Sequence, residues 1–480
     1  MPAQRAARST CLFFAVAAAT ATAVAFPASD SKEQSQSSVT VITDVTVIRP
    51  GSDRPRQEHM TVVIRGDAIA AVGPASATPV PDGASEINAE GKFLAPGLID
   101  LHVHLSKTRA SAMLLFVANG VTTVRDMGGD FEELAEWRRQ VRIGSRIGPD
   151  IVMAGPYLES ARNIERMRKD PPAARIEPFE RTRIPIGSPA EARRIVASLA
   201  GSEVDFIKIR TVEDLETYAA LNEAANAQGI PLVGHVDGIP PQAVLQAGQD
   251  GIEHWIHPSP DLAPERAALW KQFADRGVPI VPTIGVLFES TFPAIERLRA
   301  IVGDDAGLIE PRRKYLSKFL ALDWREQVSE ATQRRQDALR RIWETTIRRD
   351  LREMHAAGMD ILVGTDTAVL NLYPGFSIHE ELFLFVRELG MTPAEALDRA
   401  TRRSAAFLRL EHSVGTVDRG KVANLLLLDA DPLVDIRSTT RIAAVVSRGR
   451  VYTRNAIEGL KNQVLTSADV KADDWGRTRQ

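Results

Sequence analysis

The chain has 480 residues, of which 44% are hydrophobic and 25% charged, and its formal net charge is −3. This composition is that of a globular protein with ample apolar material for a large core, which excludes disorder and a coiled coil. The slightly acidic balance gives no support for binding to nucleic acid or to an anionic membrane surface.

Residues 1–25 are typical of a secretory signal peptide. MPAQRAARST carries two arginines, CLFFAVAAATATAVA is apolar and uncharged, and small residues precede the predicted cleavage site at Ala25. An uncleaved anchor helix is the alternative, but the strongly apolar part is short for a membrane span. We therefore expect export to the periplasm or the medium, with no integral membrane span after cleavage.

The only cysteine, Cys11, lies inside this leader. The mature chain would therefore contain no thiol. Its absence excludes disulfides and thiolate metal ligands and fits an oxidising compartment.

Two β-rich segments lie near the two ends of the chain. Residues 38–95 contain VTVITDVTVI and MTVVIRGDAIAAVG, in which apolar and polar residues alternate between turns. Residues 413–457 repeat this pattern in GTVDRGKVANLLLLDADPL and TRIAAVVSRGRVYTR. We predict one small sheet domain built from both segments, followed by a polar, peripheral tail at 458–480.

Between these segments, residues 96–412 alternate short apolar strands with helical stretches. The strand candidates are GLIDLHVHL, GVTTVRDM, DIVMAG, VDFIKIR, PLVGHV, GIEHWI, VPIVPTI and DILVGTD. Such alternation predicts an α/β fold, here a (β/α)₈ TIM barrel. Residues 286–353 interrupt it with arginine-rich helical segments, an insertion placed where it can wall or cap an active site.

Ionisable residues stand at the ends of several predicted strands, which converge on one mouth in a barrel. His102 and His104 are two residues apart and share a strand face, although such a pair alone is equally compatible with a surface or core role. Further strand ends carry Lys208, His235, His254 and Asp366. Nitrogen and oxygen ligands without cysteine suit zinc or another divalent first-row ion, and their number favours two ions over one.

Lys208 lies at the centre of VDFIKIR, where strand alternation places it opposite Ile207 and Ile209. Beside two cations, desolvation and like-charge repulsion would favour its neutral amine. A neutral amine can take up carbon dioxide and form a carbamate, whose two oxygens can bridge two cations. A surface lysine, or one paired with an acid, is the alternative.

The ordered motifs closely resemble the metal-dependent amidohydrolase superfamily, in its binuclear branch with a carboxylated lysine. They are HxH after APGLID, a lysine within a strand, two further histidines, and GTD. HEELFLFVRELGMTPAEALDRAT and the following GTVDRGK turn are most similar to prolidase-like and imidazolonepropionase-like members. The segments IRTVED and GTDTAVL depart from the prolidase-like pattern in loops that would line the substrate pocket.

The resemblance implies a distorted (β/α)₈ barrel with a small β-sandwich and two divalent ions, with zinc the expected metal. One ion would be held by His102, His104 and Asp366, and the other by His235 and His254, with N6-carboxylated Lys208 as the bridge. It also implies hydrolysis of amide or ester-like bonds.

Asp366 is the predicted catalytic residue, taking a proton from the attacking water and passing it to the leaving amine, unless it acts only as a ligand. Arg210 and Tyr157 are weaker substrate-binding candidates. Arg210 can bind a carboxylate, but a pair with Glu213 or Asp214 is the plainer interpretation. The remaining candidates for a supporting role are His257 and His379, which can equally be ordinary loop and helix residues.

We therefore expect an exported hydrolase that cleaves an amide bond of a dipeptide or N-acyl amino acid. The same metal centre could instead hydrolyse a cyclic amide, a lactone or a phosphotriester. A non-catalytic barrel retained for binding or assembly is the alternative from another class. The expected partner is a small-molecule substrate, and a homo-oligomer is compatible with the sequence.

Overall fold

The computed structural model describes residues 39–169, 179–257 and 265–471. The predicted signal peptide at 1–25 lies outside these residues. Within them, every helix is too short or too polar to cross a bilayer.

The structure has strands in two settings, one at the chain ends and one in the middle. The strands are β1 Val39–Ile48, β2 Arg56–Arg65, β3 Ala68–Pro74, β4 Ser85–Asn88, β5 Phe93–Pro96, β6 Leu98–Val103, β7 Val121–Asp126, β8 Asp150–Met153, β9 Tyr157–Ser160, β10 Arg183–Ile186, β11 Ile207–Ile209, β12 Leu232–Gly234, β13 Gly251–Glu253, β14 Ile280–Val281, β15 Leu425–Leu428, β16 Ile442–Ser447 and β17 Arg450–Thr453.

Helices follow most strands of the middle region. The α-helices are Leu105–Thr108, Met113–Ala118, Phe131–Arg142, Ala161–Arg168, Phe179–Thr182, Pro189–Ala200, Leu215–Gln228, Pro241–Ala247, Arg266–Asp275, Ile295–Gly303, Lys318–Ser329, Gln333–Ile342, Arg348–Ala356, Ser377–Leu389, Pro393–Arg399, Arg402–Phe407, Arg454–Thr466 and Ala468–Lys471. Short 3₁₀ segments are Ala110–Ala112, Pro311–Tyr315 and Ile436–Thr440, and π-helical segments are Val286–Thr291 and Trp343–Ile347.

The strands near the two chain ends form one sheet. Its order is β17-β16-β15-β5-β1-β2-β3, with β4 also paired to β1. β15 joins β5 in antiparallel register, with Leu426 opposite Ala95. Side chains from its two halves, including Val62 and Leu425, share one hydrophobic core. The described ladders thus give a single sheet around a shared core, built from both ends of the chain, and the small β-sandwich stays a prediction.

The middle strands are parallel and alternate with helices, which confirms the predicted α/β class. They form a three-stranded sheet, β6-β7-β8, and a six-stranded sheet, β10-β9-β11-β12-β13-β14. Residues 361–367 lie between the two sheets, since Ile361 bridges Ile280 of β14 and Thr367 bridges Val103 of β6. Full closure into a barrel stays a prediction, because the described ladders form two separate sheets.

Strands β6 and β7 are buried along their whole length, as expected for parallel strands covered on both faces. Their sequences, LIDLHV and VTTVRD, nevertheless contain charged or ionisable side chains. Such groups are costly to bury unless they bind one another or a ligand. The interior at these strands is therefore a candidate location for a functional site.

The helical insertion packs onto the segment that follows Asp366. The Trp324 indole Nε1 donates a hydrogen bond to the Ala368 carbonyl at 2.9 Å. Trp324 and Leu320, from the helix Lys318–Ser329, share a small hydrophobic core with Leu370. The insertion therefore contacts the same chain segment that carries a predicted metal ligand.

The C-terminal helix Arg454–Thr466 corrects the polar tail that was predicted from residue 458. Leu460 and Val464 are buried, and Leu460 and Ile457 belong to the main hydrophobic core. Their spacing of three and four residues is that of an amphipathic helix. The prediction missed this signal because polar residues dominate the composition of the segment.

Candidate metal centre

Two histidines and one carboxylate meet at the end of β6. His102 lies in the buried part of the strand, and His104 follows it directly. The Nε2 atoms of His102 and His104 lie 3.5 Å and 3.3 Å from Asp366 Oδ1. One ligand atom from each residue falls within 4.8 Å of the others, so the three together could hold one metal ion.

Asp366 reaches this position through an unusual backbone turn. Its φ is 58°, in the left-handed region that non-glycine residues seldom adopt. The turn is tied to β6 because the Asp366 backbone N–H donates to the His102 carbonyl at 2.8 Å. Asp100 accepts hydrogen bonds from the backbone N–H of Thr365 at 3.0 Å and from its hydroxyl at 2.7 Å. These contacts hold the turn in the conformation that aims the carboxylate at the histidines.

Asp366 and Asp100, the two buried aspartates at this turn, differ in their ionisation. Burial works to raise the pKa of Asp366, but His102 and the hydrogen bond from His104 hold that pKa well below its usual range. Burial raises the pKa of Asp100 to about 7. Asp366 is therefore the carboxylate of this pair that is kept ionised, as a metal ligand requires.

The other two predicted histidines lie beside the first pair. His235 follows β12 and His254 follows β13, and their ring centroids are 4.6 Å apart. The rings of His254 and His102 are 4.9 Å apart, so the imidazoles form one cluster. Burial lowers the pKa of His102, His235 and His254, which keeps these rings in the neutral form that binds metals.

Lys208 points into the interior beside this cluster. It is only 3% exposed, and its Nζ makes no hydrogen bond within the part of the chain that the structure describes. Burial lowers the pKa of the Lys208 amine to about 8, and its charge in turn contributes to lowering the pKa of His235 and His254. The surface-facing alternative for Lys208 is therefore wrong.

Glu253 and Arg125 belong to the site, although the sequence analysis did not single them out. His102 Nδ1 lies 2.7 Å from Glu253 Oε2, and Arg125 Nη2 donates to Glu253 Oε1 at 2.6 Å. An ionised carboxylate only accepts, so the proton is on Nδ1 of His102 and Nε2 is directed at Asp366. Both charged residues stand inside apolar strand sequences, GIEHWI and GVTTVRDM, which was the available signal.

The charge balance around Glu253 explains how a fully buried carboxylate stays ionised. Burial works to raise its pKa, but the charges of Arg125 and Lys208 and the hydrogen bond with His102 hold that pKa well below its usual range. Arg125 is 1% exposed, and its Nε also donates to the Leu101 carbonyl at 2.6 Å. Each member of the pair thus makes a further hydrogen bond, Arg125 to Leu101 and Glu253 with His102, which offsets part of the cost of burying the charges.

The two weaker substrate-binding candidates lie near the ends of neighbouring strands. Tyr157 begins β9 and is buried, whereas the Arg210 side chain is 47% exposed. Arg210 Nε lies 3.7 Å from Glu159 Oε1, an ion pair that was not predicted. Of the two predicted partners, Asp214 caps the next helix and Glu213 accepts from the backbone of Arg162.

The two remaining histidines have other contacts. His379 is buried between Thr439 Oγ1, at 2.9 Å from Nδ1, and the Asn119 carbonyl, at 3.1 Å from Nε2. His257 Nδ1 lies 3.6 Å from Asp350 Oδ2. The His379 ring thus joins a helix to neighbouring segments and does not support the histidine cluster.

Residues 93–452 match the family described as the amidohydrolase family. The chain is 25% identical over 399 residues to an adenine deaminase of Rubrobacter xylanophilus, a match that covers 81% of this chain and 54% of the relative. The chain therefore spans about half the length of that curated relative. An imidazolonepropionase of Desulfotalea psychrophila is 39% identical over 83 residues, covering 16% of this chain and 20% of the relative.

The fold is shared with a candidate prolidase from Bifidobacterium longum, whose solved structure has a TM-score of 0.65 at 24% identity. That match covers 89% of this chain and 99% of the other. These likenesses confirm the predicted resemblance to prolidase-like and imidazolonepropionase-like proteins.

Proposed function

The chain belongs to the amidohydrolase family, and on this premise we propose that it is an exported, metal-dependent hydrolase of dipeptides or N-acyl amino acids. Family membership and the similar proteins point to hydrolysis or deamination at carbon–nitrogen bonds. The observation that carries the proposal is the buried Nζ of Lys208, which makes no hydrogen bond in the described part of the chain and lies beside four histidines and Asp366.

Two divalent ions are proposed at this cluster, and the group of His102, His104 and Asp366 supports the first of them. His102, His104 and Asp366 would hold one ion, and His235 and His254 would hold the other. A carboxylated Lys208 would supply an anionic group with two ligand oxygens, and its Nζ makes no hydrogen bond among the described residues. The nitrogen and oxygen donors favour zinc or a similar first-row metal. When bound, the ions activate water at neutral pH and polarise the carbonyl under attack.

The protein side chains would supply proton transfer and orientation. Asp366, kept ionised, would accept the proton of the attacking water on a carboxylate oxygen and return it to the leaving amine. Glu253 would keep the proton on Nδ1 of His102 and so present Nε2 to the metal. Tyr157, on the neighbouring strand β9, and Arg210, which directly follows the strand of Lys208, would contact substrate.

Dipeptides and N-acyl amino acids are the proposed substrates because the fold matches that of a candidate prolidase over nearly its full length. The partial match to an adenine deaminase favours a second candidate, hydrolytic loss of an amino group from a heterocycle. The leader-like sequence at residues 1–25 supports export.

The function can be tested on purified protein that has been stripped of metal and reloaded with zinc. Two ions per chain and zinc-dependent cleavage of dipeptides or N-acyl amino acids are expected, and adenine and cyclic imides complete the panel. One ion per chain after reloading would overturn the binuclear centre. Activity only on adenine would replace the proposed substrate class.

Export has its own test. The intact mass of the protein recovered from the periplasm or medium should correspond to a chain that begins near Phe26. A full-length product that retains Met1 in the cytosol would overturn export and would leave the hydrolase proposal standing.

A further inference from the structure

We propose that a cavity of about 280 Å³ between the helical insertion and the segment after Asp366 is the subsite for the leaving group. In this subsite Arg335 would bind the free carboxylate of the amino acid that is released from the amide. The inference rests on the proposed hydrolase function and adds to it the class of leaving group and the residue that selects it.

The cavity adjoins both loops that lead away from the metal centre. Its wall includes Val369, whose backbone N–H donates to the Asp366 carbonyl at 3.0 Å. It also includes Val286, whose N–H donates to the Thr283 carbonyl at 3.1 Å. Thr283 in turn contacts His254 Nδ1 through its hydroxyl at 2.8 Å. The cavity is therefore one turn of chain away from Asp366 and from Thr283, the hydroxyl partner of His254.

Hydrogen bonds hold the insertion against the Asp366 side of the cavity. Leu370 donates its backbone N–H to Gln327 Oε1 at 2.9 Å. Gln336, which is 5% exposed, donates to the Pro293 carbonyl at 3.1 Å. Gln327, Gln336 and Leu370 all line the cavity. These contacts would hold the walls of the cavity in place around a ligand.

Arg335 is the cation of this cavity. Its backbone N–H donates to Thr332 Oγ1 at 3.3 Å, which caps the helix Gln333–Ile342. In the described ranges of the chain, its guanidinium makes no ion pair or hydrogen bond with another side chain. A guanidinium presents two parallel donors that match a carboxylate, so an anionic ligand would supply the partner.

The rest of the lining defines the group attached to that carboxylate. Val286, Val369 and Leu370 provide apolar walls, which suit an aliphatic side chain. Glu330 also lines the cavity and would repel a second negative charge on the ligand. The expected leaving group is therefore an apolar amino acid with one carboxylate, and acidic amino acids should be disfavoured.

The location of the cavity also agrees with the proposed transfer of a proton from Asp366 to the leaving amine. Hydrolysis adds water across the amide: a carbon–oxygen bond forms, the carbon–nitrogen bond breaks, and the leaving nitrogen takes a proton. Asp366 is the proposed donor of that proton, so the amine side of the substrate should lie on the Asp366 side of the centre. The cavity is lined by Val369 and Leu370, which follow Asp366 in the chain.

Arg335→Ala in the zinc-loaded full chain is the direct test. With N-acetyl-L-leucine as substrate, its KM should rise by about 10- to 100-fold, while kcat changes by less than about twofold. N-acetyl-L-leucinamide lacks the carboxylate, so its KM should not change. Arg335→Lys keeps the charge but loses the planar fork and should give an intermediate KM.

Arg334→Ala is the matched control. Arg334 is an exposed arginine on the same helix and lies outside the cavity lining. Its replacement should change neither KM nor the affinity for L-leucine. Glu330→Gln tests the selectivity separately, since it should lower KM for N-acetyl-L-aspartate and leave N-acetyl-L-leucine unaffected.

Binding of the product, L-leucine, measured by calorimetry on the zinc-loaded protein, separates this inference from the hydrolase proposal. If the parent protein cleaves no amide but binds L-leucine through Arg335, the hydrolase proposal fails and the subsite stands. If the parent protein does not bind L-leucine, or if Arg335→Ala and Arg334→Ala reduce binding equally, the subsite is overturned whatever the activity.

Discussion

Histidines in two regions of the described chain use their ring nitrogens differently. At the strand ends, His102 and His254 each engage Nδ1 with a side chain, Glu253 or Thr283. Within the described residues, the Nε2 atoms of His102 and His254 make no hydrogen bond with an uncharged group of the protein. His379, on the helix Ser377–Leu389, uses both nitrogens, one toward Thr439 and one toward a backbone carbonyl.

The difference separates a ligand from a packing residue. A histidine that binds a metal needs one nitrogen held by a partner, which fixes the tautomer, and the other left for the ion. A histidine with both nitrogens satisfied by the protein has nothing left to offer. Burial alone does not distinguish them, because it lowers the pKa of His102 and His379 alike.

If the histidine cluster at the strand ends kept its activity without the Asp366 carboxylate, the distinction between the two groups of histidines would be wrong. Asp366→Asn should reduce kcat by about 10²- to 10⁴-fold, since the amide binds metal poorly and cannot accept the proton. The thermal unfolding midpoint of the zinc-free protein should stay close to that of the parent. Turnover within a few fold of the parent would exclude a catalytic role for Asp366.

Lys208→Ala tests whether the cluster needs an anionic bridge. The variant should lose bound metal and activity, and acetate or propionate added to it should restore part of both by entering the space vacated at the strand end. Lys208→Arg should not be rescued, because its side chain fills that space and stays cationic.

Metal content by elemental analysis decides this prediction. Full occupancy together with near-parent activity in Lys208→Ala would reject the carbamate. An ordinary salt bridge would instead lose only a little stability and keep the metal.

Glu253→Gln tests the carboxylate that fixes the tautomer of His102. The amide can turn either its oxygen or its nitrogen toward His102, so the tautomer is no longer fixed, and Arg125 loses its charged partner. Affinity for zinc should fall by about 10- to 100-fold. Competition with a fluorescent zinc chelator measures this directly. An unchanged affinity would show that the His102 ring is held by its other contacts.

His379 should affect stability and its pH dependence and leave metal binding unchanged. Burial lowers its pKa from 6.5 to about 4, so between these values the unfolded chain binds a proton that the folded chain does not. Its contribution to stability is complete above about pH 6.5 and is lost as the pH falls toward 4. The loss amounts to about 3 kcal/mol over this window.

His379→Asn should flatten the pH dependence of unfolding between pH 6.5 and 4 without changing zinc content. His412→Asn is the control, because the side chain of His412 is 92% exposed. Denaturant unfolding at several pH values measures the effect. An equal change in both variants, or an effect of His379→Asn on zinc affinity, would contradict the division between the two regions.

Much of the candidate site could be predicted because its residues follow strand sequences that are visible locally. The spacing of His102 and His104, and the position of Asp366 at the end of DILVGTD, place these residues at strand ends without any knowledge of pairing. The buried tail helix was missed because Leu460 and Val464 are few among many polar neighbours. In this segment the helical spacing of the apolar residues decides burial, and the polar composition does not, since only one face of the helix packs on the core.

The sequence by itself determined the parallel α/β region, the sheet strands at both ends and the ionisable residues at the strand ends, because periodicity and turns act over a few residues. Only the tertiary structure decided which of these residues meet. Glu253 reaches His102 across 151 positions and Arg125 across 128, and the insertion folds back onto the segment after Asp366. Such contacts depend on the packing of whole strands and helices, which no short stretch of sequence encodes.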